Sequence, residues 1–159
     1  MPETNVKMKA KDTISAKLAE CYVTIKDRRY NFMQMKTFEA KGTKKKQEIP
    51  ILGQTGTGNK STGWHGTFSG TAYYNQSIMR QAFMDFKNTG EDLYFEIQVT
   101  NEDPTSAAGR QTINFTGCNL DESILAKFDI TTDEPLSEDF NGTFEDCKMP
   151  ESFALLMGM

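Results

Sequence analysis

The sequence predicts a mainly β fold, a β-sandwich or barrel of about seven to eight strands with one flanking α-helix. Several segments alternate apolar and polar residues with the period of two that is typical of half-buried strands. Only one segment, residues 77–89, changes to the spacing of an amphipathic helix. The chain of 159 residues is long enough for one core, so we expect a single domain over residues 1–159.

The N-terminal part predicts a polar arm followed by two strands. Residues 1–19 are rich in lysine and show no sustained period, which is typical of an arm. Residues 20–25 alternate and place three apolar side chains on one face. After a polar turn, residues 30–39 carry apolar side chains on both faces. Such a strand is expected to be covered on both sides, at least in an assembled state.

A long basic segment, residues 40–63, predicts a protruding loop between two strands. Connections longer than about 12 residues in a compact domain are usually functional or disordered. The segment contains a run of lysines and a short apolar group at a proline, and proline disfavours a central strand. Exposed apolar side chains in a basic loop indicate a binding contact, although these side chains could instead pack on their own core. The candidates for the contact are Lys44, Lys45, Lys46, Ile49 and Leu52.

Residues 64–74 form the clearest predicted strand, and the helix follows it. Glycines at alternate positions on one face of this strand leave room for close packing or for a bend. In residues 77–89, apolar residues recur at i, i+4 and i+7, which predicts a stripe packed on the sheet. Asn75 or Ser77 can cap the start of the helix, and Gly90 can supply a left-handed residue after its end.

The rest of the chain predicts four further strands and a tail. Apolar residues alternate along these strands, and polar turns separate them. Phe128 and Ile130 belong to one of the alternating sets and are expected to face inward. The predicted strands are residues 93–100, 111–119, 124–131 and 140–144, and the predicted tail is residues 149–159.

The charges are segregated along the sequence. Residues 1–60 contain 13 Lys and Arg against 6 Asp and Glu, whereas residues 61–159 contain 5 against 16. The two groups of charges could interleave once the chain folds. Alternatively, the molecule has a basic side and an acidic side, an arrangement that favours head-to-tail self-association into rings or filaments.

The motifs in the sequence argue against catalysis, a cofactor and a metal. Residues 53–61 read G-x-x-x-x-G-N-K-S, but a phosphate-binding loop needs its lysine directly after the glycine and a helix after the motif. The single histidine, His65, has no cysteines around it at ligand spacing, so we expect no metal site. We therefore expect a protein that is not an enzyme and uses no cofactor.

Composition restricts the class of protein further. Three cysteines at scattered positions fit a reducing cytosol better than a disulfide framework. The apolar runs are shorter than the roughly 20 residues of a membrane helix, so we expect no membrane binding by the subunit. The lysine run and nearby aromatic residues give nucleic-acid binding weak support, because the C-terminal half of the chain is strongly acidic.

Several short segments occur in an order that covers most of the chain. They are Asp12-Thr13-Ile14-Ser15, Phe38-Glu39-Ala40, residues 48–53 (EIPILG), residues 58–63 (GNKSTG), Gly66-Thr67-Phe68, the helix at 77–89, Leu93-Tyr94-Phe95 and Phe144-Glu145-Asp146. This series resembles the tail tube proteins of contractile phages and phage-tail-like bacteriocins. The tube subunits of PBSX-like defective prophages belong to the same family. The specificity lies in the order of the segments, since no single motif is diagnostic.

The resemblance implies a structural protein. Six copies would form a ring, and the rings would stack head to tail into a hollow inner tube. The resemblance also implies a contractile sheath around the tube, a baseplate or tip initiator below it, and DNA in the lumen where a genome is carried. Assembly would take place in the bacterial cytoplasm, before the tube becomes part of a virion tail or a released tail-like particle.

The resemblance also implies roles for particular residues. The loop would contact the adjacent ring through the lysines and apolar residues named above. An acidic lumen would repel DNA phosphates, and the candidates to face it are Glu39, Glu96 and Asp129. The alternative is a monomeric β-barrel that binds a small ligand or single-stranded nucleic acid. Self-assembly distinguishes the two functions.

Overall fold

The computed structural model describes residues 6–159. These residues form eight β-strands and one α-helix, which confirms the predicted mainly β class. A short 3-10 turn at Ala10–Asp12 precedes the strands. The elements are β1 Ala19–Ile25, β2 Arg28–Asn31, β3 Met35–Pro50, β4 Thr57–Tyr73, α1 Ile78–Thr89, β5 Phe95–Glu102, β6 Arg110–Glu122, β7 Ser137–Phe144 and β8 Asp146–Glu151.

The chain divides into two compact units. Unit 1 consists of the described residues up to Met33 together with Phe95–Thr116 and Cys147–Met159, and unit 2 consists of Gln34–Tyr94 and Gly117–Asp146. The strands of unit 1 follow the order β2-β1-β5-β6, with β8 also paired to β6. Those of unit 2 follow the order β6-β7-β4-β3. Neither path closes into a barrel within the described residues, and the single domain over residues 1–159 stays a prediction.

The core of unit 1 lies on one face of β1 and β5. The two strands are antiparallel, and Val23 lies opposite Ile97, with 1% and 2% of their surfaces exposed. Ile25 and Phe95 are also buried. Val23 and Ile25 are two residues apart, so the strand predicted from the alternation of residues 20–25 is confirmed together with its inward face.

The described part of the predicted arm is hydrogen-bonded to the connection between β5 and β6. The Ser15 amide donates to the buried carboxylate of Asp103 at 3.0 Å. The hydroxyl and the amide of Thr105 donate to the same carboxylate at 2.6 and 2.9 Å. The Thr105 hydroxyl, followed by the Ser15 and Thr105 amides, holds the pKa of Asp103 below its ordinary value. Residues 1–5 of the predicted arm lie outside the described residues.

One face of unit 2 consists of phenylalanine rings packed on glycines. The buried ring of Phe68 in β4 lies 6.2 Å from Phe38 in β3 and 6.3 Å from Phe140 in β7, measured between centroids. A Cβ on Gly70 would lie 2.8 Å from the Phe140 ring, and a Cβ on Gly142 would lie 2.7 Å from the Phe68 ring. The close packing predicted from the alternate glycines of β4 is therefore present.

The helix α1 agrees with the predicted segment at both ends. Ser77 occupies the N-cap position, but its side chain makes no capping hydrogen bond. Gly90 has a left-handed conformation with φ of 75°, and its amide donates to the Phe86 carbonyl at 2.8 Å. Ala82 is buried on the inner side of the helix. Among residues 6–159, no helix combines the length and the apolar character needed to cross a membrane.

An ion pair fastens α1 to the sheet of unit 2. Arg80 donates to Glu138 of β7 at 3.0 Å, and only 13% and 16% of their side-chain surfaces are exposed. The Arg80 guanidinium also lies over the Tyr74 ring, 4.3 Å from its centroid. Burial raises the pKa of Glu138, and the charge of Arg80 opposes this effect. A pair this enclosed is costly to break, because the remaining charge is left without its partner.

We expect Arg80→Met to lower the free energy of unfolding by about 2–3 kcal/mol at neutral pH, because Glu138 loses its cation. In the folded variant, the pKa of Glu138 then lies further above the pKa that Glu138 has in the unfolded chain. The folded state therefore binds the proton more tightly, and the loss should shrink as pH falls towards the ordinary glutamate pKa. Urea unfolding over a range of pH measures this dependence. Glu138→Gln added to Arg80→Met should recover most of the loss, and a loss independent of pH would contradict the assignment.

The segment predicted as a protruding loop is mostly strand. β3 continues to Pro50 and β4 begins at Thr57, so only residues 51–56 form the connection. The prediction of a loop over residues 40–63 was therefore wrong in its secondary structure. Strands exposed on both faces carry no apolar alternation, so their pattern does not show a strand.

Two further strand predictions were wrong. Residues 30–39 do not form one strand, because β2 ends at Asn31 and β3 begins at Met35. Residues 124–131 form no strand, and their side chains at Phe128 and Ile130 are 85% and 93% exposed. Apolar alternation predicts a strand only where a neighbouring strand can pair with it. The predicted tail is also shorter, since β8 continues to Glu151.

Candidate assembly surfaces

The distal part of the β3–β4 hairpin is a two-stranded ribbon, which we define as residues 43–65 and call the ribbon. Its strands pair as far as Pro50 opposite Thr57. β7 pairs with β4 only up to Gly66, so the described residues provide no third strand for the ribbon. At roughly 3.3 Å per residue, the ribbon reaches about 25 Å beyond the three-stranded part of unit 2.

The ribbon is exposed to an unusual degree for regular structure. Every residue in it other than Gly58 is exposed. Two strands alone are marginally stable in water, and both edges present backbone groups that could pair with another chain. The ribbon is therefore expected to gain order from a partner.

The ribbon carries a net positive charge, with lysines on both of its faces. The ribbon contains four lysines and one glutamate, a net charge of +3. Successive residues of a strand face opposite sides, so Lys44 and Lys46 lie on one face and Lys45 on the other. The three predicted lysines thus lie close together along β3 without forming a single patch.

The tip of the ribbon carries apolar side chains. Leu52 is fully exposed in the connection, and Ile49 and Ile51 are 39% and 44% exposed. The Ile51 side chain packs over Gly58, where an added Cβ would lie 3.1 Å from it. Leu52 does not pack on the core of its own subunit, so that alternative is wrong for Leu52. The predicted contact residues Ile49 and Leu52 are both accessible near the tip.

The face of β3, β4 and β7 opposite the phenylalanines is polar throughout the three-stranded part of unit 2. Thr71 donates to Asp139 at 2.7 Å, and Glu39 forms an exposed ion pair with Lys41 at 3.1 Å. One polar face and one apolar face are typical of a sheet with one side towards water. Three rows of cross-strand neighbours form the polar face: Thr37–Thr71–Asp139, Glu39–Ser69–Asn141 and Lys41–Thr67–Thr143.

A shallow groove of about 320 Å³ lies on this polar face, and its lining includes three carboxylates. They belong to Glu39, Glu122 and Asp139. Asn141 donates to Glu122 at 3.2 Å, while its own side-chain carbonyl is buried without a partner. Sequence reasoning missed Asp139, because the strand was predicted to begin at Phe140 and the acidic residues before it were assigned to a turn. The sequence could have indicated its position, because Asp139 is two residues before Asn141 and therefore lies on the same face of an extended strand.

The three carboxylates predicted to face a lumen occupy separate positions. Glu39 lies on the polar face of unit 2. Glu96 is exposed in β5 of unit 1, opposite Thr24. Asp129 lies in the irregular chain before β7, where the amide and hydroxyl of Thr131 donate to it at 2.9 and 2.6 Å. These bonds, of which the hydroxyl's is the stronger, hold the pKa of Asp129 below its ordinary value.

Within the described part of the chain, no three His, Cys, Asp or Glu side chains are grouped so that they could hold a metal ion. His65 is exposed on the ribbon, opposite Thr43. Burial raises the pKa of Cys21 to about 11, so its thiol stays protonated at neutral pH.

Comparison of the sequence with known families shows a match over nearly the whole chain. A family model described as phage tail tube protein matches residues 6–151. A protein of Bacillus subtilis (strain 168), the phage-like element PBSX protein XkdM, is 33% identical over 147 residues. The alignment covers 92% of this chain and 97% of that protein.

Two solved structures share the fold of this chain. A chain in the six-fold symmetrised baseplate of the anti-feeding prophage superposes with a TM-score of 0.67 at 8% identity, covering 86% of this chain and 95% of the other. A chain in the extended sheath-tube complex of the extracellular contractile injection system PVC gives a TM-score of 0.64 at 10% identity. That match covers 90% of this chain and 94% of the other. At these identities the likeness concerns the fold.

Proposed function

The chain belongs to the phage tail tube protein family, and we propose that six copies form a ring and that the rings stack head to tail into a hollow tube. It is a structural subunit of a tail tube. The observation that carries the proposed stacking is the ribbon, an exposed two-stranded extension that no residue described in its own subunit completes. An element of this kind is explained by a contact with another copy.

The ribbon's role in the proposal is to contact the adjacent ring. Its lysines attract acidic surfaces, and Ile49 and Leu52 supply apolar area that is free to be buried. The predicted contact set of Lys44, Lys45, Lys46, Ile49 and Leu52 therefore remains our proposal. Because Lys45 faces away from its two neighbours, a partner has to surround the ribbon to engage all three lysines.

The polar face of unit 2 is proposed to line the lumen. It combines hydroxyls and amides with the carboxylates of Glu39 and Asp139, and a surface of this kind holds water and repels phosphates. Glu39 therefore has the most support among the three predicted lumen residues. Glu96 and Asp129 remain predictions for the same role.

The proposed tube has three kinds of partner besides itself. A contractile sheath surrounds it, a baseplate or tip complex initiates it, and DNA passes through its lumen where the particle carries a genome. The proposed assembly takes place in the bacterial cytoplasm, and the finished tube is part of a virion tail or a released tail-like particle. The subunit is proposed to work as a structural protein, without enzymatic activity.

Light-scattering mass and negative-stain microscopy of the purified protein test the proposal. The expected result is a species of about six times the subunit mass of 17.9 kDa, or hollow tubes. If the protein is monomeric, the same measurement is repeated with a tip complex as a seed, and tubes are expected. A protein that forms no tubes even with the seed would refute the tube, and binding of a small ligand or single-stranded nucleic acid would then support the alternative.

A further inference from the structure

Strand β4 runs from the tip of the ribbon to the opposite end of unit 2. It begins at Thr57 and ends at Tyr73, which is sixteen residues further on, or about 50 Å at roughly 3.3 Å per residue. At the far end, Tyr73 pairs with Ser137 of β7. The tip of the ribbon and the start of β7 are therefore at opposite ends of unit 2.

The far end of unit 2 carries an exposed irregular segment, residues 123–136, which we call the acceptor segment. The Leu136 carbonyl accepts from the Tyr74 amide at 2.9 Å, and the Lys127 ammonium donates to the Ser137 carbonyl at 2.8 Å. These bonds hold the segment at this end of the unit, although it contains no helix or strand. These hydrogen bonds, rather than pairing within the sheet, therefore position the acceptor segment.

The acceptor segment exposes several large apolar side chains close together. Phe128 is 85% exposed, Ile130 is 93% exposed and Leu125 is 44% exposed. Single exposed apolar residues are normal on proteins, but three within six residues, with carboxylates beside them, indicate an interaction site. The apolar alternation that predicted a strand here is then explained by burial against another molecule.

The acceptor segment and the ribbon are complementary in charge and in apolar character. The acceptor segment contains three carboxylates and one lysine, a net charge of −2, against +3 on the ribbon. Its lysine is occupied by the Ser137 carbonyl and Asp129 is bonded to Thr131. Asp133 and Glu134 are the exposed carboxylates that can meet a lysine.

Building on the proposed tube, we propose that the acceptor segment of one copy receives the ribbon tip of a copy in the adjoining ring. In this contact, Leu52 packs among Phe128 and Ile130, while Lys44 and Lys46, which share one face of the ribbon, lie beside Asp133 and Glu134. The occupant is a second copy of this chain, because the two complementary surfaces lie at opposite ends of one unit. Such a pair of surfaces generates an open head-to-tail series rather than a closed dimer.

A charge exchange tests the pairing. Lys44→Glu and Lys46→Glu together should lower the sedimentable tube fraction at least about tenfold, because like charges then face each other. Adding Asp133→Lys and Glu134→Lys should restore tubes. The matched control adds Glu91→Lys and Asp121→Lys instead, two exposed carboxylates outside the acceptor segment, and should not restore them. Equal recovery with both pairs, or with neither, would overturn the proposal.

A disulfide cross-link tests the same contact without relying on charge. In a Cys147→Ser background, Leu52→Cys combined with Ile130→Cys should give a ladder of covalent multimers on oxidation. Each single variant, and Leu52→Cys combined with Lys87→Cys, should give no species beyond dimers. Normal tubes without a ladder would overturn the proposed role of the acceptor segment but would still support the proposed tube. Absence of tubes from the unmodified protein, even with a seed, would instead refute the proposed function.

Discussion

Replacement of residues 45–63 by Asn-Gly is expected to leave a folded subunit that builds no tubes. Lys44 lies opposite Trp64 in the register, so a two-residue turn can join the shortened strands. Trp64 keeps its contact with Phe144, whose ring centroid is 6.1 Å away. The change removes the tip, most of the positive charge and both open edges of the ribbon, while the phenylalanine face stays complete.

Urea unfolding and sedimentation of the same sample separate the two effects of this replacement. The unfolding midpoint should stay near that of the unmodified chain, because the ribbon contributes almost no buried surface. The sedimentable fraction should fall to background. Gln54→Ser with Thr55→Ser serves as the control, since it keeps the length, charge and Leu52 of the ribbon, and should assemble normally. Tubes of normal appearance from the shortened chain would show that the ribbon is dispensable.

Substitution of Gly142 by alanine is expected to be among the most destabilising single changes in unit 2. An added Cβ would overlap the Asn119 carbonyl of the neighbouring strand and lie 2.7 Å from the Phe68 ring. Backbone cannot move aside as a flexible side chain can, so the strands must separate. We expect a loss of about 3 kcal/mol in the free energy of unfolding, at the upper end for an overpacked core.

Gly63→Ala is the matched control for this substitution. Gly63 also lies within a strand, but an added Cβ there would meet no atom within 4 Å. Its free energy of unfolding should change by less than about 0.5 kcal/mol, as for most exposed positions. Urea midpoints at an unchanged slope measure both variants. If the two substitutions cost the same, the packing of Phe68 on Gly142 would not be what restricts this position.

The parts of the fold that were predictable are those with one buried face. β1, β5 and the inner half of β4 place apolar residues at every second position, so the sequence shows both the strand and its inner face. The helix was predictable because its apolar stripe has the 3.6-residue period and Gly90 ends it in a left-handed conformation. In each case, burial inside the subunit leaves a periodic pattern in the sequence.

The ribbon and the acceptor segment were not predictable, for opposite reasons. The ribbon is regular structure with two exposed faces, so nothing in its sequence alternates. The acceptor segment alternates apolar and polar residues, but none of the strands among residues 6–159 pairs with it. Lys44, Ile49 and Leu52 could still be recognised as contact candidates, since a lysine run beside apolar residues is informative in any secondary structure.

A cryo-EM map of assembled tubes shows which surfaces of the subunit are buried between copies and which face the lumen. We expect stacked six-fold rings, with Glu39 and Asp139 facing the lumen and each ribbon seated on the next ring. A map in which the ribbons project freely into solvent, or in which the phenylalanine face of unit 2 lines the lumen, would contradict this expectation.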